Sequence, residues 1–354
     1  MAEHAFTIRE AIQRVVDGQT LTTDQASAVM DQIMTGEATG AQIGALVTAL
    51  RIRGETVEEI AGLARSMREH ALRVDLAPDA GIVVDTCGTG GDVSGTFNIS
   101  TTAAFVIAAA GVNVAKHGNR AMTSKCGSAD LLEGLGVEIE LTPSQVMSCI
   151  EDAGIGFMYA PAFHPAMRYV GPSRREIGIR TIFNVLGPLT NPAGARHQLI
   201  GVGHPDIAGK LAQVLGVLGS SHAVLVHAEE GLDELGLAGA SIVTEWDERV
   251  GETSVSIVSP EDVGLKRASI GDLAGGDVAT NVAITLAILQ GEQGPRRDAT
   301  LLNAGAGLYA ANAAESIADG VSIAAAAIDS GKALSALERL VARTRSFSKE
   351  TATA

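Results

Sequence analysis

The sequence predicts an α/β protein with a small N-terminal helical domain and a larger α/β domain built on a mostly parallel central sheet. Three observations predict it. Ahead of Pro78, boxes of the form Thr-x-x-Gln/Glu recur at Thr22 with Gln25, Thr39 with Gln42 and Thr56 with Glu59, each leading a stretch of helical periodicity. Beyond Pro78, short apolar runs alternate with alanine-rich helical ones, the texture of a parallel sheet covered by helices. The 354 residues also exceed the roughly 250 to 300 over which one core keeps growing, so two lobes are expected.

In chain order, the early helices carry apolar stripes, Ile43, Leu46, Val47 and Leu50 in one and Ile60, Leu63, Ala64 and Met67 in the next, with Gly36 and Gly54 as stop signals. Such stripes form the core of a bundle, and a stripe of this kind can also face a second subunit. In the second part, residues 82–84 read as a strand, 101–110 as a helix, 112–115 as a strand and 128–135 as a helix. Thr142 ahead of Pro143 starts another helix, which leads to a strand at 157–159. Further strands are expected at 198–202, 223–226 and 241–244, followed by two long alanine-rich helices between about Asn281 and Arg343. The helical domain is assigned residues 1–77, with helices from about 165–190 packing on it; the α/β domain takes 78–346, and 347–354 form a frayed tail.

Composition removes several function classes. Mean hydropathy of +0.22, with 46% hydrophobic and 19% charged residues, describes a globular chain. A net charge of −15 argues against nucleic acid as the main partner, since that binding rests on basic patches, and leaves room for a small phosphorylated ligand. Cys87, Cys126 and Cys149 form no CxxC pair and have no histidine at ligand spacing, which suits a reducing cytoplasm. The opening MAEHAFTIREAIQRVV lacks a basic segment followed by an apolar run, and no window of about 18 apolar residues occurs, so a soluble, unprocessed protein without a membrane partner is expected.

The stretch DTCGTGGDVSGTFNIST, from Asp85 to Thr101, follows an expected strand and precedes an expected helix. Glycines there let backbone amides converge on an anion without any basic side chain. It lacks the Gly-Lys-Ser/Thr of a Walker loop and the spaced glycines of a dinucleotide fingerprint. Thr96, Asn98, Ser100 and Thr101 add polar groups at the helix start, so a phosphate is the favoured ligand. Cations come one strand later, as Lys116, Arg120 and Lys125 in KHGNRAMTSKCGSAD, where ligands of open α/β sheets bind. Amides from one strand end and cations from the next suit a polyphosphate.

GTGGD, NIST, KHGNRAMTSKCGSADLLEGLGV, FHPAMRYVGPSRREIGIRTIFNVLGPLTNPA and EEGLDEL occur in this order, and together they make the chain resemble the anthranilate phosphoribosyltransferase family up to about residue 345. The resemblance implies a fold of the nucleoside phosphorylase/phosphoribosyltransferase type and a homodimer formed through the helical domain. It implies transfer of ribose 5-phosphate from phosphoribosyl pyrophosphate (PRPP) to the amino group of anthranilate, with Mg2+, in tryptophan synthesis. By position in the motifs, Gly88, Thr89, Gly91, Asp92, Thr96, Asn98, Ile99, Ser100, Thr101, Lys116, Asn119, Arg120, Ser124 and Ser128 resemble the PRPP site. Gly88, Asn119, Pro161, His164, Arg174 and Gly187 resemble the anthranilate site, Ser100, Asp233 and Glu234 the metal site, and His117, Asn119 and Arg174 the residues closest to the chemistry. Ala228 stands where many members carry glycine.

The chemistry fits these residue types. Departing pyrophosphate develops negative charge, which a dication held by one or two carboxylates offsets. A planar guanidinium meets a carboxylate with two parallel bonds, as lysine cannot; Arg175 and Arg180 compete with Arg174 for that role on sequence alone. Positioning and electrostatics dominate such a transfer, so no strong general base is expected. A pyrimidine nucleoside phosphorylase would lack KHGNR and GLDE in this form. A nucleic-acid-binding relative without catalysis would show a basic surface and eroded motifs, and a purely structural scaffold leaves the joint spacing unexplained.

Overall fold

The structure, a computed structural model, describes residues 6–77, 80–92, 94–121 and 124–353, without the side chains of 348–353. Pro78, where the texture changes, Met122 and Thr123 of the cationic loop, and the opening residues 1–5 lie outside the described residues.

Four helices open the fold: α1 (Ile8–Val16), α2 (Thr23–Met34), α3 (Gly40–Arg53) and α4 (Val57–Glu69). Each starts at a capping box, the three expected ones and a further one at Thr7 with Glu10. Capping fixes where each helix begins; burial of the stripes then fixes how they meet. Met30, Ile33, Ile43, Leu46, Leu50 and Ile60 are all at most 1% exposed. Glu59 is buried among them and accepts from the backbone amides of Leu21 (2.8 Å) and Thr56 (2.9 Å), with Arg53 as its counter-charge.

The second unit is a seven-stranded sheet of β1 (Val83–Gly88), β2 (Asn113–Gly118), β3 (Ile155–Tyr159), β4 (His197–Gly201), β5 (His222–Ala228), β6 (Ser241–Asp247) and β7 (Glu252–Val258). The order is β3-β2-β1-β4-β5-β6-β7; the first five run parallel, and β6 and β7 are antiparallel. The parallel strands β4 and β5 are buried on both faces, and β5 accordingly carries the apolar run Ala223–Val226. Strand β7 has no counterpart in the sequence expectation, because its apolar residues Val255 and Ile257 face solvent, each 69% exposed.

The covering helices are α5 (Ile99–Ala109), α6 (Ser128–Gly134), α7 (Pro143–Ala153), α8 (Ala160–Phe163), α9 (Gly171–Ile177), α10 (Ala208–Val217), α11 (Val278–Leu289), α12 (Pro295–Ala310), α13 (Ile317–Asp329) and α14 (Lys332–Thr353). Helix α5 packs against α12, α13 and α14 and buries every residue from Thr101 to Ala108, which is why it is apolar all round. Four helices close the chain where two were expected. Gly291 and the Gly294–Pro295 pair separate the first two, Asn312 in the left-handed region (φ 53°) follows the second, and Gly331 follows the third. Helix α14 has no internal breaker and continues through the segment expected to fray, to Thr353. Val170, Ile182, Phe183, Leu186 and Leu189, from the segment around α9, share one core with α1–α4 and α10.

Strand order reverses at β1, which has β2 on one side and β4 on the other. In open α/β sheets the crevice at the carboxyl ends of such strands is where ligands bind.

Candidate active site

A cavity of about 530 Å³ opens at that crevice. Its wall contains Gly88, Asp92, Thr96, Asn98, Ile99, Ser100, Thr101, Lys116, His117, Asn119, Ser124, Lys125, Ser128, Asp233 and Glu234, so fifteen residues singled out from the sequence meet in one place. The glycine loop crosses from β1 to α5 along it. Thr89 N donates to Gly201 O (2.8 Å), and Gly203 N donates to Thr89 Oγ1 (3.0 Å), which ties the loop's entry to β4. Gly90 and Gly91 follow with φ of 64° and 89°, a backbone that side-chained residues resist. At Gly201 a side chain would collide with the backbone of Asp233, so the acid pair can sit directly over the strand end.

The cationic side is built on β2. Lys116 is 2% exposed and donates to the carbonyl and the hydroxyl of Thr86, with Asp85 close by on β1. Burial lowers the Lys116 ammonium from its ordinary value, and Asp85 opposes that shift. Asp85 is fully buried; burial raises its carboxyl, while bonds from Asn191 Nδ2 (2.8 Å) and His117 N (3.1 Å) hold it. Arg120 points elsewhere: its guanidinium is held by Glu133 and Asp130 on the surface, over the ring of Tyr159 at 5.5 Å. Lys125 lines the cavity in its stead.

Asp233 and Glu234 face the backbone of the glycine loop and of the start of α5. Asp233 Oδ2 accepts from Gly90 N (2.9 Å), and Glu234 Oε1 accepts from Ser100 N (3.2 Å) in the first turn of α5. Burial, then repulsion from Asp92, lifts the Asp233 carboxyl to about 7; burial, then repulsion from Asp233, lifts Glu234 to about 8. Crowded carboxylates of this kind, beside the hydroxyl-bearing Ser100, are a hard-oxygen donor set short of positive charge, which suits Mg2+. The described cluster of His222, Glu245 and Asp247 is a poorer metal site, because both ring nitrogens of His222 are already hydrogen-bonded, to Asn312 and Glu245.

His117 lines the cavity next to a second histidine, His164. Its ring bonds the backbone of Gly187, that of His164 bonds the backbone of Thr190, and the two centroids are 5.0 Å apart. Burial, with repulsion between the rings, pushes His117 down to about 3; burial alone takes His164 to about 4. Both are therefore neutral, and the Nε2 atom of each is buried with no partner among the described residues. Pro161 sits in α8, just after β3. Arg174, on α9, is half-buried over the ring of Phe183 at 5.9 Å and stands outside the cavity wall, its pKa lowered by burial. Gly187 opens the short helix Gly187–Leu189 and enters the site only through its contact with His117.

Three participants escaped the sequence reading. Gly275 and Gly276, ahead of α11, and Asn281, in its first turn, close the cavity, and Asn281 Oδ1 is left without a partner among the described residues, as is Asn98 Oδ1. No local pattern marks them, since they arrive from a remote part of the chain. Arg180, considered only as a rival to Arg174, reaches the glycine loop instead.

Known proteins share this fold. The helical bundle domain of a glycosyl transferase family matches residues 9–71, and the a/b domain of that family matches residues 80–334. The anthranilate phosphoribosyltransferase of Chloroflexus aggregans is 58% identical over 342 residues, 96% of this chain and 99% of its own, and that of Herpetosiphon aurantiacus is 57% identical over 94% of this chain and 98% of its own. The crystal structure of the Thermus thermophilus enzyme superposes with a TM-score of 0.89 at 46% identity, covering 95% of this chain and 99% of that one. The Saccharomyces cerevisiae enzyme in complex with PRPP and Mg superposes with a TM-score of 0.87 at 27% identity, covering 96% and 98%. With its two domains, its glycine loop and its acid pair in place, the chain belongs to the anthranilate phosphoribosyltransferase family.

Proposed function

We propose that the protein transfers the phosphoribosyl group of PRPP to the amino group of anthranilate, giving N-(5-phosphoribosyl)anthranilate and pyrophosphate in tryptophan biosynthesis. The observation that carries this reading is the cavity at the switch point, where backbone amides, Lys116 and the Asp233–Glu234 pair converge. Asp233, Glu234 and Ser100 are the residues that would hold Mg2+, which supplies charge neutralisation for the departing pyrophosphate. The loop amides, Thr96, Ser100 and Thr101 seat phosphate oxygens, and Lys116 supports them from β2. The anthranilate nitrogen forms a bond to the anomeric carbon as the carbon–oxygen bond to pyrophosphate breaks, its electron pair leaving with pyrophosphate. His117 Nε2 has the lone pair to accept a hydrogen bond from the amine and orient it. With a pKa of about 3 it is too weak a base to keep the proton that the new secondary amine sheds, which passes to the released pyrophosphate or to water, so positioning carries the step. Arg174 is assigned to the anthranilate carboxylate, with Asn119, Pro161, His164 and Gly187 along the route.

The same reading includes a helical unit of residues 1–77 and an α/β unit of 78–346, a homodimer through the helical unit, and a cytoplasmic location. Ile52 of α3 and Val16 of α1, 82% and 65% exposed, offer apolar surface for the dimer. Among the described residues no helix is long and apolar enough to cross a membrane.

Anthranilate fluorescence tests the reading. Decay that requires this protein, PRPP and Mg2+ together is the expected result. Unchanged fluorescence with folded protein and intact PRPP would refute it.

A further inference from the structure

Two consecutive positive-φ glycines make a loose backbone, and the ties at Thr89 fix only the entry to the loop. Something else must set which way the next peptide groups point. Arg180, in the segment that follows α9, meets the loop from the side opposite Asp233. Its Nη2 donates to Gly90 O at 3.1 Å and to Thr89 O at 3.5 Å, and its guanidinium occupies the space that a side chain at Gly91 would need.

A trans peptide is planar, with its carbonyl and N–H directed to opposite sides. Holding the carbonyls of Thr89 and Gly90 on one side therefore turns the amides of Gly90 and Gly91 to the other. Gly90 N does point away from Arg180, to Asp233 Oδ2 at 2.9 Å on the cavity wall. The fixed positive charge behind the carbonyl ends also polarises both peptides so that their N–H ends attract an anion more strongly.

We propose that Arg180 is a positioning residue for the pyrophosphate of PRPP: gripping the Thr89 and Gly90 carbonyls, it turns the Gly90 and Gly91 amides to the side of the loop where Asp233 stands. It does not serve the anthranilate carboxylate. This rests on the reading that the glycine loop seats pyrophosphate, and binding of inorganic pyrophosphate with Mg2+ to the wild-type protein checks that premise separately.

Arg180→Ala and Arg180→Lys are compared with the wild type by calorimetric titration of pyrophosphate and by separate KM values for PRPP and anthranilate. For Arg180→Ala, pyrophosphate Kd and PRPP KM rise about 10- to 100-fold, the scale for losing charge-assisted hydrogen bonds, with anthranilate KM within about twofold. Arg180→Lys recovers part of the loss through charge, and added guanidinium ion recovers part of it in Arg180→Ala, which a merely misfolded variant would not do. If Arg180→Ala binds pyrophosphate within about twofold of the wild type, or both KM values rise together, the assignment is wrong. Absence of pyrophosphate binding by the wild type would overturn the loop reading and the assignment with it.

Discussion

Acidification should destabilise the fold through His117 and His164 by an amount that can be worked out in advance. Both rings are buried, 8% and 4% exposed, and their folded values lie at about 3 and about 4 against an ordinary 6.5. Because the folded values are depressed, the stabilisation is complete above pH 6.5 and is lost as the pH falls from there toward 4 and 3. At about pH 5 the unfolded chain has taken up both protons and the folded protein neither. With about 1.4 kcal/mol for each pH unit below 6.5, each ring then costs about 2 kcal/mol and the pair about 4 kcal/mol. The figure hardly depends on where below 5 the folded values fall. Asp233 and Glu234 act with the opposite sign: their raised carboxyls favour the fold most below the ordinary carboxylate range and progressively less as pH rises toward about 7 and 8. The clean observable is therefore a difference, urea unfolding of the wild type and of a His117→Asn/His164→Asn double variant at about pH 7.5 and about pH 5. The wild type should lose about 4 kcal/mol more than the variant. Equal losses within about 1 kcal/mol would show that the rings are hydrated or already charged, and that neutral Nε2 acceptors do not line the acceptor site.

Other perturbations separate the remaining roles. Arg174→Ala should lower kcat/KM for anthranilate by about 2 to 5 kcal/mol, the scale for truncating one member of a desolvated charge pair, while PRPP KM changes little; equal effects on both substrates would remove Arg174 from the carboxylate. Protons compete with Mg2+ for Asp233 and Glu234, whose carboxyls titrate near 7 and 8, so Mg2+ should raise the Tm more at about pH 8.5 than at about pH 6. An Asp233→Asn/Glu234→Gln variant should lose that shift and change the Mg2+ dependence of turnover; an unaltered titration would return the pair to ordinary buried acids. Glu59→Ala strands Arg53 and the amides of Leu21 and Thr56 in the helical core, for an expected loss of about 3 to 5 kcal/mol in denaturant unfolding. A loss below about 1 kcal/mol would mean that water replaces the carboxylate.

What could be read from the sequence alone was whatever is decided within a few residues. A capping box spans four residues, so Thr22, Thr39 and Thr56 announced their helices directly, and Thr142 ahead of Pro143 announced another. The parallel strands showed because covered faces leave short apolar runs such as Ala223–Val226, and the family resemblance showed because its motifs are contiguous blocks. The breaks among α11 to α14 were written in Gly291, Gly294–Pro295 and Gly331 but masked by the alanine-rich texture around them. Strand β7 stayed hidden because nothing buries its apolar face. Tertiary structure alone decided which cation reaches which partner. Arg120 stands in the most suggestive motif and turns to Glu133 and Asp130, whereas Arg180 crosses to the glycine loop and Asn281 closes the cavity from the far end of the chain. The physical reason is reach and direction: backbone hydrogen bonding and periodicity are local, but a long side chain goes wherever the packing of distant elements leaves a partner, and no spacing along the chain encodes that.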